Sequence, residues 1–276
     1  MAILKLRDGN DLYYKDWGNK DGPVVTFSHG WPLNSDNWEN QMFFLGSKGY
    51  RVIAHDRRGH GRSSQPWDGN DFDTYADDLN QLFEHLDLKN VTMVGHSTGG
   101  GEVARYVGKF GTSRVAKAVL VGAVPPLMVQ TESNPEGTPI SVFDSFRSAL
   151  VEDRAGFFYK VPSGPFFGFN RPGVTHNEQL VQSWWNQGMM AGFKNAYDCI
   201  KTFSETDLTE DLKKMNIPVL LLHGDDDQVV PIVAAAQKAI KLLPNGTLKV
   251  YKGGAHALPN MNIDEVNQDL LKFLES

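Results

Sequence analysis

Short apolar runs rich in β-branched residues, each bounded by turn residues, recur at Val24–Ser28, 50–55, 91–95, Val115–Val121, 218–223 and 248–251. Between most of them lie stretches of helical character, at 35–46, 74–86, 98–109, 232–242 and 263–275. A strand that is apolar on both sides must be covered on both faces, and parallel neighbours need long crossovers. The alternation therefore confines the chain to an α/β fold, a mostly parallel sheet with helices on both faces. Residues 3–7 and 12–16 flank Asp8-Gly9-Asn10-Asp11, a tight-turn sequence, so an antiparallel hairpin is expected to precede the parallel part. From 125 to 205 the rhythm breaks. This stretch opens with Pro125-Pro126, is studded with aromatics such as Phe143, Phe166 and Trp184, and offers no clean β run. We read it as a helical cap insertion, which divides the chain into a first core part, 1–124, the cap, 125–205, and a second core part, 206–276. A cap inserted after a strand end sits over the ligand crevice of an open α/β sheet.

Composition removes several classes of function. With 41% hydrophobic and 22% charged residues, the 276-residue chain can bury a substantial core and is not disordered. Its net charge of −6, with scattered Lys and Arg, leaves no basic stripe to track a phosphate backbone, so nucleic acid is not an expected partner. A single cysteine, Cys199, cannot form an internal disulfide, and no Cys/His pairs stand at zinc-ligand spacing, so a reducing, cytoplasmic setting and no metal are expected. The N-terminal residues carry charge and a turn within the first ten positions, unlike a signal peptide. No apolar run approaches the roughly 20 residues that span a bilayer, so no membrane association is expected.

The chemistry starts at residues 90–104. Strand, sharp turn and helix follow one another there, and Gly95-His96-Ser97-Thr98-Gly99 matches Gly-x-Ser-x-Gly. Small residues two before and two after the serine let strand and helix approach closely, while the serine takes a strained backbone conformation that projects its hydroxyl from the sheet edge. The start of the following helix offers free N–H groups and a dipole that stabilise negative charge on a substrate oxygen. Ser97 is the candidate nucleophile.

A serine hydroxyl needs a base. Of the eight histidines, His29, His55, His96 and His223 lie in or beside strand ends, where a structural role is expected; His60 falls in a turn-rich loop, His85 on a polar helix and His176 in the cap. His256 remains. It follows the run 248–251 in Lys252-Gly253-Gly254-Ala255-His256-Ala257-Leu258, a flexible loop able to carry an imidazole over the sheet edge. The acid that orients it should stand at a neighbouring strand end, upstream in the chain. His223-Gly224-Asp225-Asp226-Asp227 offers three aspartates just after a strand.

The chain resembles the α/β-hydrolase superfamily and, within it, the cofactor-free (non-haem) haloperoxidase, aryl-esterase and perhydrolase group. The similarity runs from the hairpin to the last helix and includes His29-Gly30-Trp31-Pro32, Asp56-Arg57-Arg58-Gly59-His60-Gly61, residues 95–103, Val124-Pro125-Pro126-Leu127 and residues 223–231. The family motif His-Gly-Asp-x-Asp-x-x-Val-Pro places the catalytic acid at Asp227, leaving Asp225 to stabilise the loop and Asp226 to face solvent. The resemblance further implies an oxyanion hole from the backbone N–H groups of Trp31 and Thr98. It implies substrate-binding positions at Trp31, Pro32, Val124, Leu127, Phe143 and Val229, no cofactor, and a homo-oligomer. One departure stands at the elbow, where the family's frequent Phe-Ser-Met is His96-Ser97-Thr98; this change bears on the shape of the acyl pocket and not on the triad. Residues 56–63 read as a structural brace beside the elbow.

The expected reaction is acyl transfer from a small carboxylic ester through Ser97 to water. Trp31-Pro32 suggests a second activity, formation of a peracid from a short carboxylic acid and hydrogen peroxide, because proline fixes the orientation of the residue before it. A dehalogenase or epoxide hydrolase would need a carboxylate where Ser97 stands. A lactone, lactam or carbon–carbon bond hydrolase with the same triad, and a non-catalytic ligand-binding protein of the same fold, remain as alternatives.

Overall fold

The computed structural model describes residues 2–276. Eight strands form one sheet: β1 (Ala2–Lys5), β2 (Asp11–Gly18), β3 (Val24–Ser28), β4 (Arg51–His55), β5 (Val91–His96), β6 (Val115–Val121), β7 (Val219–Gly224) and β8 (Gly246–Tyr251), in the order β1-β2-β4-β3-β5-β6-β7-β8. The expected hairpin is the antiparallel edge, with β1 on β2 and β2 on β4, and all other pairs are parallel. The helices are α1 (Glu39–Ser47), α2 (Phe72–His85), α3 (Thr98–Phe110), α4 (Ile140–Val161), α5 (Glu178–Met189), α6 (Phe193–Glu205), α7 (Thr209–Lys213), α8 (Ala236–Ala239), α9 (Leu258–Met261) and α10 (Ile263–Glu275).

The period of two along each strand feeds two cores. Met93, Leu120 and Leu221 pack on one face with Leu79 and Phe83 of α2 and Val103 and Val107 of α3. Their neighbours Val94, Val119, Val121, Leu220 and Leu222 pack on the other with Met42 and Leu45 of α1 and Val266 and Leu270 of α10. Strands apolar on consecutive residues are thus explained by burial on both faces. A third cluster joins Phe143, Leu150, Phe158, Trp184 and Phe203, from the chain between β6 and β7, to Val124, Val230 and Ala257 at the C-terminal ends of strands. The helices α4, α5 and α6 cover that end of the sheet.

The stretch 232–242 departs from expectation. Only Ala236–Ala239 is helical, because the backbone of Ala235 (φ −109°, ψ −100°) lies off the helical basin and turns precede and follow it. Helix α4 also breaks, at Asp153 (φ −153°, ψ 83°), and a π-turn at Pro162–Phe166 follows it. Periodicity alone marks neither kink.

Candidate active site

The elbow is built from close approaches that only glycine allows. A Cβ on Gly95 would lie 2.4 Å from the Gly99 carbonyl oxygen, and one on Gly99 would lie 2.1 Å from that of Ser28. With β5 and α3 this close, Ser97 is forced to φ +55°, ψ −120°, a conformation costing on the order of 1–3 kcal/mol in a non-glycine residue. Its N–H donates to the Val121 carbonyl (3.0 Å) and its carbonyl accepts from Val124 (3.2 Å), so β6 and the chain beyond it hold the turn. Behind it lies a buried ionic brace. Glu102 of α3 accepts from His55 (2.7 Å) and from Nε of Arg57 (2.8 Å), while Arg57 also donates to the His29 carbonyl (2.6 Å). Burial alone would raise the pKa of Glu102, but the Arg57 guanidinium and His55 bring it down to about 2. Arg58 grips Asp78 through two bonds of 2.7 Å, and Arg62 grips Asp56 (2.7 Å), as the structural reading of 56–63 expects.

Of the three aspartates after β7, Asp227 alone is buried, at 6% exposure. Its Oδ1 accepts from the backbone N–H groups of Val229 (2.9 Å) and Val230 (2.8 Å), and its Oδ2 lies 2.7 Å from His256 Nδ1. His223 Nε2 donates to the Val230 carbonyl (2.9 Å) and stands 3.4 Å from Asp227 Oδ2. Burial would push the Asp227 carboxyl upward, but His256 and His223 hold it well below the usual carboxylate range, so it is an anion. Asp225 accepts from the Gly253 N–H (2.6 Å) and so ties the acid loop to the loop of His256. Asp226 is exposed and pairs with Arg171 (2.9 Å).

Ser97 and His256 line one cavity of about 140 Å³. The walls are mostly apolar, with Trp31, Val124, Phe143 and Val229 among them as expected, joined by Phe166 and Trp184 from the aromatics of the 125–205 stretch and by Met128, Phe203 and Gln228, which the sequence did not single out. Two expected lining residues fall outside. Pro32 is buried against α5, where a Cβ on Gly188 would lie 3.2 Å from its Cγ. Leu127 lies outside the cavity wall, in a cleft with Pro126 and Lys238, while its neighbour Met128 lines the cavity.

A Cβ on Gly30 would lie 3.2 Å from Ser97 Cβ, so the loop leading to Trp31 runs beside the serine. Among the described residues, neither the Trp31 nor the Thr98 N–H donates to a backbone carbonyl. The Trp31 indole is fixed by donation to the Ala196 carbonyl (2.9 Å) and by the rings of Phe158 and Phe203.

His96, the departure at the elbow, is fully buried and donates from Nε2 to the carbonyl of His256 (3.0 Å). Its ring packs 4.8 Å from that of His256 and edge-on to Phe166 and Trp38, while its Nδ1 finds no partner. Burial first, then the neighbouring His256, lowers its pKa to about 3. The residue is therefore a neutral strut beneath His256. A second tie comes from Arg171, which no motif marked: it donates to the Gly253 carbonyl (2.7 Å) as well as to Asp226. The Phe166 carbonyl likewise accepts from the Ala257 N–H (3.1 Å).

The family model of the alpha/beta hydrolase fold matches residues 23–259. Over 278 residues and the full length of both chains, the protein is 58% identical to the non-heme chloroperoxidase of Burkholderia pyrrocinia. It is 54% identical, again over the whole of both chains, to the bifunctional esterase/perhydrolase of Acinetobacter calcoaceticus. The crystal structure of the bromoperoxidase from Bacillus anthracis superposes with a TM-score of 0.95 at 42% identity, covering 100% of this chain and 99% of that one. The chain belongs to the α/β-hydrolase fold family.

His96 generates a sign-definite prediction. Folded, it stays neutral down to about pH 3, whereas unfolded it protonates below about pH 6.5. Between those values the unfolded state binds the extra proton, so the stability of the neutral strut is full above pH 6.5 and is lost as the pH falls. In urea unfolding between pH 4 and 5.5, His96→Phe should lower the slope of stability against pH by about 1.4 kcal/mol per unit. An unchanged slope would show that His96 is already charged in the folded protein.

Proposed function

We propose that the protein is a serine hydrolase of small carboxylic esters that also makes peracids from short carboxylic acids and hydrogen peroxide, with Ser97 as nucleophile, His256 as general base and Asp227 as its orienting acid. The observation that carries this reading is the convergence of Ser97 and His256 on one apolar cavity, with His256 Nδ1 held 2.7 Å from a buried, ionised Asp227. Asp227 fixes the tautomer: Nδ1 carries the proton and Nε2 is left as the acceptor. Ser97 Oγ attacks the ester carbonyl and His256 Nε2 takes its proton. The Trp31 and Thr98 N–H groups receive the oxyanion, each such donor lowering the barrier by roughly 2.7–4 kcal/mol. His256 then protonates the departing alkoxide, and a water deprotonated by His256 releases the acid. In perhydrolysis, hydrogen peroxide takes the place of that water. The Trp31 carbonyl, held by its position before Pro32, accepts a hydrogen bond from the peroxide and favours it over water.

The resemblance of the chain to an esterase/perhydrolase over its whole length supports the same reading. The cavity supports its substrate class. A dry apolar space of this order holds one aromatic ring, which favours aryl and short-chain esters. We also infer that the protein is a cytoplasmic homo-oligomer. Among the described residues no helix is long and apolar enough to cross a membrane. The single cysteine supports a reducing compartment, and the family resemblance supports assembly with further copies.

Ser97→Ala should lower phenyl acetate turnover by several orders of magnitude with the fold intact, and Asp227→Asn by about 10⁴ in kcat. Retention of a tenth of wild-type kcat by Ser97→Ala, or a larger loss in folded Asp225→Asn than in Asp227→Asn, would overturn the assignments. Across p-nitrophenyl esters, kcat/KM should fall steeply from acetate and butyrate to octanoate as the acyl chain outgrows the cavity; a rise with chain length would refute the substrate class. Sedimentation velocity should give a species heavier than one chain, and cell fractionation should place the protein in the cytoplasm.

A further inference from the structure

Met128 is the one methionine among the described residues that lines the cavity with Ser97 and His256, and it is 5% exposed. Its position is set by the backbone around it. The Met128 carbonyl accepts from Thr138 N–H (2.8 Å), and the Leu127 and Val129 carbonyls accept from the Asn134 side chain (2.9 and 2.8 Å). The Val129 N–H donates to Ser204 (2.9 Å). The thioether is thus carried on a pinned segment that forms part of the wall around the reacting acyl group. A thioether is the strongest nucleophile toward electrophilic oxygen among the groups lining this space. The single thiol, Cys199, lies outside the cavity, and burial pushes its pKa up to about 11, so it presents no thiolate.

We propose that Met128 is a modification site of the enzyme's own chemistry, converted to its sulfoxide by peracid formed on Ser97 before that peracid leaves the cavity. The inference rests on the perhydrolase reading above. Hydrogen peroxide attacks the Ser97 acyl ester and releases peracid and free Ser97. The Met128 sulfur lone pair then attacks the outer peroxy oxygen and the O–O bond breaks. The carboxylic acid departs with its proton, so sulfur is oxidised and the peracid is reduced. The net consumption is one hydrogen peroxide per sulfoxide, with water formed and the carboxylic acid regenerated. Confinement gives the sulfur an effective concentration of peracid that bulk solution does not reach. The product replaces an apolar patch of the wall by a polar S=O group, so each modification weakens apolar substrate binding and turnover limits itself.

The test uses the whole protein in acetate and hydrogen peroxide with excess free methionine, which traps escaped peracid and, as free sulfoxide, measures it. Peptide mass mapping then follows the gain of about 16 Da at each methionine. Met128 should be oxidised at least about tenfold faster in the wild type than in Ser97→Ala. Exposed Met190 and Met261, each 39% accessible, should react at equal rates in the two proteins. Met128→Leu, judged against its own initial rate, should hold a constant rate of peracid formation where the wild type declines. Peracid formation with no Ser97-dependent excess at Met128 overturns the inference while leaving the perhydrolase reading standing. Absence of trapped peracid overturns both.

Discussion

The contact between the end of β5 and the start of α3 is the constraint from which the rest of the site follows. Gly95 and Gly99 let backbone meet backbone at separations that exclude a Cβ, and Ser97, midway between them, is held at positive φ. That single geometric demand lifts the Ser97 side chain off the sheet and turns the first N–H groups of α3 toward it. It also requires the Gly30 loop to pass close by, because a side chain at Gly30 would meet both His96 and Ser97. The strain is sustained by what surrounds it. The Glu102–Arg57–His55 brace is wholly buried, and a charge there is tolerable only because each member has its partner. Residues five apart in the chain thus divide the labour, Ser97 meeting the cavity and Glu102 of α3 fastening the elbow to β4.

The loops that carry Asp227 and His256 are fastened to each other. Asp225 reaches the Gly253 N–H, the Asp226 N–H reaches the Gly254 carbonyl, and His96 supports the His256 carbonyl from beneath. Three consecutive aspartates therefore have three separate physical tasks: one joins loops, one meets Arg171 at the surface, and one is buried with the imidazole. Burial sets Asp227 apart from the other two, and it keeps its charge in spite of that burial because two backbone N–H donors and the imidazoles of His256 and His223 compensate it.

Much of the fold was legible because its strands are buried on both faces, which writes them as continuous apolar runs; Val24–Ser28 and Val115–Val121 coincide with β3 and β6. The stretch 232–242 was less legible, because its alanines and leucines carry helical composition while the off-helix backbone at Ala235 depends on tertiary packing. At the site, Ser97 and His256 could be read from turn and loop chemistry, whereas the choice among Asp225, Asp226 and Asp227 needed the family motif. The wall of the cavity was only partly legible. Which of Leu127 and Met128 faces inward depends on one step of register in an irregular segment, and Pro32 belongs to a conspicuous pair yet packs against α5. Arg171 carried no signal, since its partners are a carbonyl and an aspartate distant in the chain.

Arg171 bears on how this enzyme trades access against alignment. It sits in the chain that covers the sheet edge, yet its guanidinium holds the turn before His256 and the residue before Asp227 together. Phe166 from the same segment both walls the cavity and accepts a hydrogen bond from the residue after His256. The covering chain is therefore no free flap: lifting it away from the cavity means breaking the ties of Arg171 and Phe166 to the turns that carry Asp227 and His256.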